Sequence, residues 1–265
     1  MYNIIRSIQY TTHRNMAVIT TVLGMIATPL VAVCFFMQKP LTKMDGAEYY
    51  ASTLGELFVL WIFAVMILSS IPAASDAGDK TLNYELLAGH KRSRVFFARV
   101  ITGLFWGAIV CGFFYFLPLI YFGFLGGWYQ GIDPKDIAFR ALLTFLPLLR
   151  TSAFFIMLSG ILRSAGKGIG FGFLILEFVT IIIETVKEVL GLNEHALNWT
   201  VGMYNVMELN TLSNCRDYVI NGEKITVYET AVSRGLVIST VVASLFFGIL
   251  YLVIAYVDFA KRDRD

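Results

Sequence analysis

Long apolar blocks alternate with short polar segments along the whole chain. Six blocks approach or exceed the roughly 20 residues that a helix needs to cross the hydrocarbon core of a bilayer. They lie near residues 16–37, 54–73, 96–125, 137–162, 169–186 and 236–257. This pattern predicts an all-α polytopic membrane protein, with six transmembrane helices in a single transmembrane domain over residues 1–265.

The first 14 residues have a different pattern, because they are amphipathic. At 100° per residue the apolar side chains fall in one arc, opposite the polar ones. The apolar arc contains Met1, Ile4, Ile5, Ile8 and Thr12. We therefore expect an N-terminal helix over residues 1–14 that lies in the membrane interface, with its apolar side toward the acyl chains. A frayed tail is the alternative.

Composition supports the membrane class, since 57% of the residues are hydrophobic and 15% are charged. A soluble domain needs more polar surface than this. The net charge is +2, with the two signs interspersed, which gives no indication of nucleic-acid binding. The three cysteines and three histidines lie on separate segments, so we predict no metal site and no catalytic residues.

The distribution of lysine and arginine predicts the orientation. With the N-terminus inside, the inner segments carry twelve of these residues and the outer segments eight, leaving Arg150 within the membrane. Both termini are therefore expected in the cytoplasm of a cell-membrane protein. The polar segment 75–95 is then cytoplasmic, and the long polar segment 187–234 is extracellular.

Segment 75–95 interrupts the apolar pattern between the second and third blocks. It begins with acidic residues, continues as a short helix-like run and ends in a basic cluster. Leu82, Leu86 and Leu87 fall at i, i+4 and i+5 and share one broad helical face. Such a face either lies on the membrane surface or docks a soluble partner.

Two charged residues fall near the middle of apolar blocks. Arg150 lies in the fourth block and Glu177 in the fifth, and a tight basic turn near residues 163–168 places them at similar depth. Unpaired charges at that depth are costly, so we predict that they form a buried pair. The pair is either a structural clamp or part of a translocation path. Glu184 follows Glu177 by two helical turns, as a possible path or gate residue.

Glycines in the chain have a packing role rather than a nucleotide-binding one. Residues 160–168 (GILRSAGKG) resemble a phosphate-binding loop, but one residue too many precedes the Gly-Lys pair and no Ser or Thr follows it. The glycines there suit a tight turn and close packing, as does the GxxxG spacing of Gly103 and Gly107.

The six blocks, the amphipathic N-terminus and segment 75–95 together resemble the permease subunits of ABC-2 type exporters. In that family the corresponding loop forms a coupling helix that sits in a cleft of the ATPase subunit. This chain departs from the family pattern at Asp79 and Lys80, which are inserted between the glycine, Gly78, and the threonine, Thr81. The resemblance implies that the ATPase-coupling residues are Asp76, Gly78, Thr81, Leu82, Glu85, Leu86, Leu87, Gly89, Arg92 and Arg94.

The resemblance also implies the partners. This chain would be a transport subunit rather than an enzyme and would bind no cofactor, with ATP and magnesium held by two copies of a separate ATPase. A second permease copy would complete the path, most simply as a homodimer, and a peptide, a lipid or another amphipathic compound would be exported. Aromatic residues of the third block suit such a cargo, and equally suit contact with lipid tails.

Two alternatives stay open: an ion-coupled carrier using Arg150, Glu177 and Glu184, and a non-transporting immunity or scaffold protein.

Overall fold

The computed structural model describes residues 1–36, 46–54, 57–79, 89–128, 132–191, 199, 202–212, 215–220, 223–228 and 230–261. The fold is mostly helical, as predicted. The described residues form ten α-helices: α1 (Tyr2–Arg14), α2 (Met16–Val31), α3 (Gly46–Tyr49), α4 (Phe58–Asp79), α5 (Arg92–Leu104), α6 (Cys111–Leu125), α7 (Pro134–Ile161), α8 (Ala165–Leu190), α9 (Met203–Asn210) and α10 (Arg234–Lys261). Three π-helical turns, Ala32–Phe36, Tyr50–Leu54 and Phe105–Val110, adjoin them.

Among the described residues, five helices are long and apolar enough to cross a membrane. They are Met16–Cys34, Arg92–Leu125, Pro134–Ile161, Ala165–Leu190 and Arg234–Lys261. A further apolar helix, Phe58–Ala74, is shorter and corresponds to the predicted second span. The helix Arg92–Leu125 has 34 residues and is about 50 Å long, so it must tilt or extend beyond a hydrocarbon core of about 30 Å.

Local sequence signals place several helix ends. Asp133 caps α7, since its side chain accepts a hydrogen bond from the Lys135 N–H at 2.9 Å, and Pro134 occupies the first turn. Ser164 caps α8 in the same way through Lys167. The turn between these helices is three residues long and contains Arg163 at φ 51°. The predicted tight turn is therefore present. It is shorter than the predicted residues 163–168, because α8 already begins at Ala165.

Helix α1 packs along α5. The buried Ile4 and Ile8 form a cluster with Val95 and Ala98, and the ring of His13 lies 6.4 Å from that of Trp106. The amphipathic pattern is thus correct, but protein covers part of the face that we expected to meet acyl chains.

The core of the bundle lies around α4 and α7. One apolar cluster joins Met66 of α4 to Val100 of α5, Phe155 of α7 and Ala255 of α10. Close packing of small residues brings these helices together. A Cβ added at Gly107 would lie 2.5 Å from Ser152 Oγ and 2.8 Å from Ser69 Cβ. The predicted role of the Gly103–Gly107 spacing in close helix approach is confirmed.

The segment between α8 and α10, predicted as an extracellular loop, contains regular structure. Helix α9 packs against α7, and strands β1 (Cys215–Ile220) and β2 (Glu223–Tyr228) pair antiparallel as a hairpin. In this hairpin Ile220 pairs with Glu223. The hairpin is the departure from an all-α fold within the described residues.

Candidate functional site

Helix α9 begins at a glycine that nothing larger can replace without strain. Gly202, its N-cap, has φ 104°, a left-handed conformation that favours glycine. A Cβ at this position would lie 2.9 Å from the Pro147 carbonyl oxygen, 2.9 Å from Thr151 Oγ1 and 3.0 Å from Arg150 Nε. The start of α9 therefore rests directly on the middle of α7.

The first turn of α9 binds both neighbouring long helices. Arg150 is fully buried and donates a hydrogen bond from Nη2 to Asn205 Oδ1. Asn205 is equally buried, and its Nδ2 donates to Thr240 Oγ1 of α10 at 3.0 Å. The Asn205 amide thus bridges α7 and α10. A buried, charge-assisted hydrogen bond is among the stronger polar contacts that a protein makes.

The last turn of α9 is held by a second guanidinium. Arg140 Nη1 donates to the Leu209 carbonyl at 2.9 Å, and Arg140 Nε donates to the Thr230 carbonyl at 2.7 Å. The hydroxyl of Tyr50 donates to the same Leu209 carbonyl at 2.9 Å. Burial raises the pKa of that hydroxyl, with Arg140 opposing the shift, so Tyr50 stays protonated as a donor.

A third contact completes the attachment of α9 to α7. Asn210 Nδ2 donates to Thr144 Oγ1 at 3.1 Å, and both residues are fully buried. Because Gly202 faces Thr151 while Asn210 faces Thr144, α9 runs antiparallel to α7 with its N-terminus nearest the middle of the bundle. We call Thr144, Arg150, Asn205, Asn210 and Thr240 the polar bridge.

The sequence pointed to Arg150 but not to its partner on α9. Arg150 donates a hydrogen bond to Asn205, while Glu177 is half-buried on α8. The pairing of Arg150 with Glu177 stays a prediction. In the sequence, the signal for α9 was the spacing of Met203, Val206 and Leu209 at i, i+3 and i+6.

Glu184 contacts α9 from the opposite side. The Tyr204 hydroxyl donates to Glu184 Oε1 at 3.1 Å, and Glu184 is exposed. Burial, then the hydrogen bond to Glu184, raises the pKa of Tyr204 to about 12, with a smaller contribution from Glu177. Glu177 and Glu184 thus lie on the side of α8 that faces α9.

The predicted coupling residues lie between α4 and α5. Thr81, Leu82, Glu85, Leu86 and Leu87 fall outside the described residues. Asp76 and Gly78 lie on the last turns of α4, where the backbone alone is described.

The basic end of that segment is described. Gly89 has φ 82°, and Arg92 and Arg94 are exposed on the first turn of α5. One turn further along, Arg99 is buried and lines a cavity of about 40 Å³ together with Ala73, Gly160 and Phe259. Both ends of the segment therefore enter the bundle where α7 and α10 end.

Buried polar contacts between helices are the main feature of this site. Within the ranges that the structure describes, no three His, Cys, Asp or Glu side chains form a group that could hold a metal ion. In comparisons with known proteins, no protein family, curated protein or solved structure matches the chain. The function must therefore be inferred from the sequence pattern and from this geometry.

Proposed function

We propose that this chain is the membrane-spanning permease subunit of an ATP-driven exporter of the ABC-2 type. The observation that carries the proposal is the arrangement of the two helices that flank segment 80–91. These helices, α4 and α5, both run from it into the centre of the bundle, where they pack on α7. Force applied to the segment would reach α7, and through α7 the seat of α9.

The contacts along this route are tight enough to transmit a displacement. A Cβ at Gly103 would lie 2.8 Å from Ile156 Cδ1 of α7 and 3.2 Å from the Ser69 carbonyl of α4. Packed interiors have low compressibility, so a shift of α4 and α5 displaces α7 instead of being absorbed. A permease that receives work from an ATPase needs a connection of this kind.

The remaining parts of the proposal follow from the resemblance of the sequence pattern to ABC-2 type permeases. The shorter helix Phe58–Ala74 would be the second of six spans, since neighbouring helices cover much of it. Both termini would be cytoplasmic in the cell membrane, with α1 beside the inner interface. Two ATPase copies would supply ATP and magnesium, and a second copy of this chain would complete the path for a peptide, lipid or other amphipathic cargo.

The test is a single change in the coupling segment. Leu86→Asp would place a charge in an apolar cleft of the ATPase and weaken docking by about 2–4 kcal/mol. We expect an inserted, folded permease that no longer copurifies with an ABC ATPase encoded beside it and no longer supports ATP-driven export.

The matched control is Lys167→Asp. Lys167 is exposed on the first turn of α8, next to the short connection between α7 and α8 at the same end of the bundle. The substitution introduces the same carboxylate and should leave the complex with the ATPase intact. A Leu86→Asp permease that still binds the ATPase and exports would refute the coupling role. Transport driven by an ion gradient without ATPase would instead favour the carrier that uses Arg150, Glu177 and Glu184, and absence of transport would favour a scaffold protein.

A further inference from the structure

A small cavity lies between four helices at the end of the bundle where α5 begins. It has a volume of about 40 Å³ and is partly open to the outside of the bundle. Its lining includes Ala73 of α4, Arg99 of α5, Gly160 of α7 and Phe259 of α10. Among the described residues that line it, Arg99 is the charged one, and its side chain is 4% exposed. A buried guanidinium thus borders a mainly apolar space.

The position of Arg99 along α5 matches the depth of lipid headgroups. Arg99 follows Arg92, the first residue of α5, by seven residues, which corresponds to about 10 Å along the helix axis. The headgroup layer on each side of a bilayer is about 5–8 Å thick. With the exposed Arg92 and Arg94 at the aqueous edge of that layer, Arg99 lies near its boundary with the acyl chains.

The described side chains at this end of the bundle are mainly basic. Arg92 and Arg94 are exposed on the first turn of α5, Lys167 on the first turn of α8, and Lys261 at the end of α10. Among the side chains described here, the acidic one is Asp258, which is half-buried on α10. Basic pockets between transmembrane helices bind the phosphate groups of anionic lipids, and this end of the bundle has the charge for it.

The size of the cavity limits what it can hold. A space of roughly 10–15 Å³ accommodates one water molecule, so this cavity accommodates about three, which is comparable to one phosphate group. A nucleotide or a peptide is too large for it. A guanidinium has five N–H donors in a fork that matches phosphate oxygens. Arg99 can therefore keep its contacts within the protein and still donate to a phosphate.

An apolar surface suited to acyl chains adjoins the cavity. The ring of Phe96, which lines the cavity with Phe259, lies 5.6 Å from the ring of Phe97 and 5.3 Å from that of Tyr256. Phe97 and Tyr256 are exposed, and their rings stack 6.0 Å apart. A charged group at the cavity and a hydrocarbon chain against these two rings are the two parts of one lipid molecule.

We propose that this cavity binds the phosphate group of an anionic phospholipid and that Arg99 donates hydrogen bonds to it. The phosphate takes the place of water against the guanidinium, and the acyl chains run along the exposed rings of α5 and α10. The bound lipid contacts the ends of four helices, so it stabilises the folded state. Lipid binding here is a property of the chain alone and does not depend on the exporter function.

Thermal unfolding of the purified chain in detergent measures this binding, because a ligand that binds only the folded state raises the unfolding temperature. The probes are phosphatidylglycerol, zwitterionic phosphatidylcholine with the same acyl chains, and inorganic phosphate. We expect phosphatidylglycerol to bind several-fold more tightly than phosphatidylcholine. Inorganic phosphate, which has no acyl chain to place on the rings, should not raise the unfolding temperature at the same concentration.

Substitutions at Arg99 locate the site. Arg99→Gln removes the charge at similar length and should weaken phosphatidylglycerol binding about tenfold, because charge-assisted hydrogen bonds are lost. Arg99→Lys, which keeps the charge without the fork, should lose less. Arg94→Gln is the matched control, since it removes the same charge from an exposed position of the same helix. It should change the affinity by less than about twofold.

A second variant fills the cavity and leaves Arg99 in place, which keeps the test decisive if Arg99→Gln does not fold. Gly160 lines the cavity, and a Cβ added there meets no atom within 4 Å, so Gly160→Leu should fold. It should weaken phosphatidylglycerol binding several-fold. Gly166→Leu, at an exposed position of α8 with equally open surroundings, should leave the binding unchanged.

Equal losses of affinity for Arg99→Gln and Arg94→Gln would assign the lipid effect to surface charge and overturn the site. Lipid binding that survives both Arg99→Gln and Gly160→Leu would overturn it as well. Stabilisation by inorganic phosphate that matches that of phosphatidylglycerol would overturn the lipid as the source of the phosphate. None of these measurements needs an ATPase, so they judge the lipid site even if the exporter proposal fails.

Discussion

Helices α7 and α8 are consecutive, nearly equal in length and similarly apolar, yet they have opposite environments. Of the most apolar stretch of each, 67% is buried in α7 and 17% in α8. Helix α7 carries buried polar residues, among them Arg150, Thr144 and Ser152, which point inward. Helix α8 turns large apolar side chains such as Phe171, Phe178 and Ile182 outward. Hydropathy therefore identifies a spanning helix without showing whether it meets lipid or protein.

The contact between the two helices explains the difference. Helix α8 approaches α7 through glycines: a Cβ at Gly168 would lie 2.1 Å from Ser159 Oγ, and one at Gly172 would lie 2.3 Å from Phe155 Cε1. In the membrane apolar burial gives little driving force between helices, so close packing and polar bonds determine which helix is central. Helix α7 has both, with α4, α9 and α10 around it.

The largest effect that would test this comparison is expected at Arg150. Arg150→Leu leaves the Asn205 amide in a dry site without its donor and should destabilise the folded protein by about 2–3 kcal/mol. Glu177→Leu, at a half-buried position of the peripheral helix α8, should cost less than about 1 kcal/mol. Unfolding in detergent by heat or denaturant measures both.

A double-mutant cycle then identifies the partner of Arg150. We expect the coupling of Arg150 with Asn205 to exceed its coupling with Glu177 by at least about 1 kcal/mol, because the structure places the hydrogen bond at Asn205. A coupling with Glu177 as large as that with Asn205 would instead support the buried ion pair predicted from depth alone.

A somewhat smaller effect is expected from two glycines of α8 that lie two residues apart. Gly172 faces Phe155 of α7, whereas Gly170 has open space around it. Gly172→Leu should destabilise the bundle by about 1–3 kcal/mol through overpacking, and Gly170→Leu should change the stability by less than about 0.5 kcal/mol. Similar unfolding temperatures for the two variants would show that α8 does not pack on α7 through this face.

The smallest effect is expected at Tyr204, on the side of α9 that faces Glu184 of α8. The pKa of Tyr204 is raised from its ordinary value of 10.0 to about 12, so the protonated hydroxyl is favoured in the folded state. This stabilisation is fully present below pH 10 and is lost as the pH rises toward 12. The difference in unfolding temperature between the parent and Tyr204→Phe should therefore shrink over that range. A difference that grows above pH 10 would contradict the assignment.

Much of the architecture could be predicted from the sequence because it depends on local pattern. The apolar blocks predicted the long helices, and the Gly103–Gly107 spacing predicted a close approach, which the contacts with Ser69 and Ser152 confirm. The amphipathic arc of α1 was also correct as a pattern. Its partner was not predictable, because Val95 and Ala98 are distant in sequence and only folding brings them beside Ile4 and Ile8.

The candidate site was predictable in one half only. Arg150 is conspicuous because it is a charged residue within an apolar block. Asn205 lies in a polar segment, where an amide side chain is not a signal for a buried site. The depth of Glu177 made it the natural partner, but depth does not fix which face of a helix a side chain occupies. The structure directs Arg150 toward α9, where Asn205 accepts its hydrogen bond.

The sequence by itself determined that this is a multi-pass helical membrane protein, because block length and hydropathy are properties of single segments. The tertiary structure decided that α7 is central and α8 peripheral, that α1 packs on α5, and that the short helix α9, between α8 and α10, contacts Arg150. These outcomes depend on contacts between residues tens of positions apart. Such contacts arise from shape and hydrogen bonding between helices, neither of which is encoded in the pattern of any one segment.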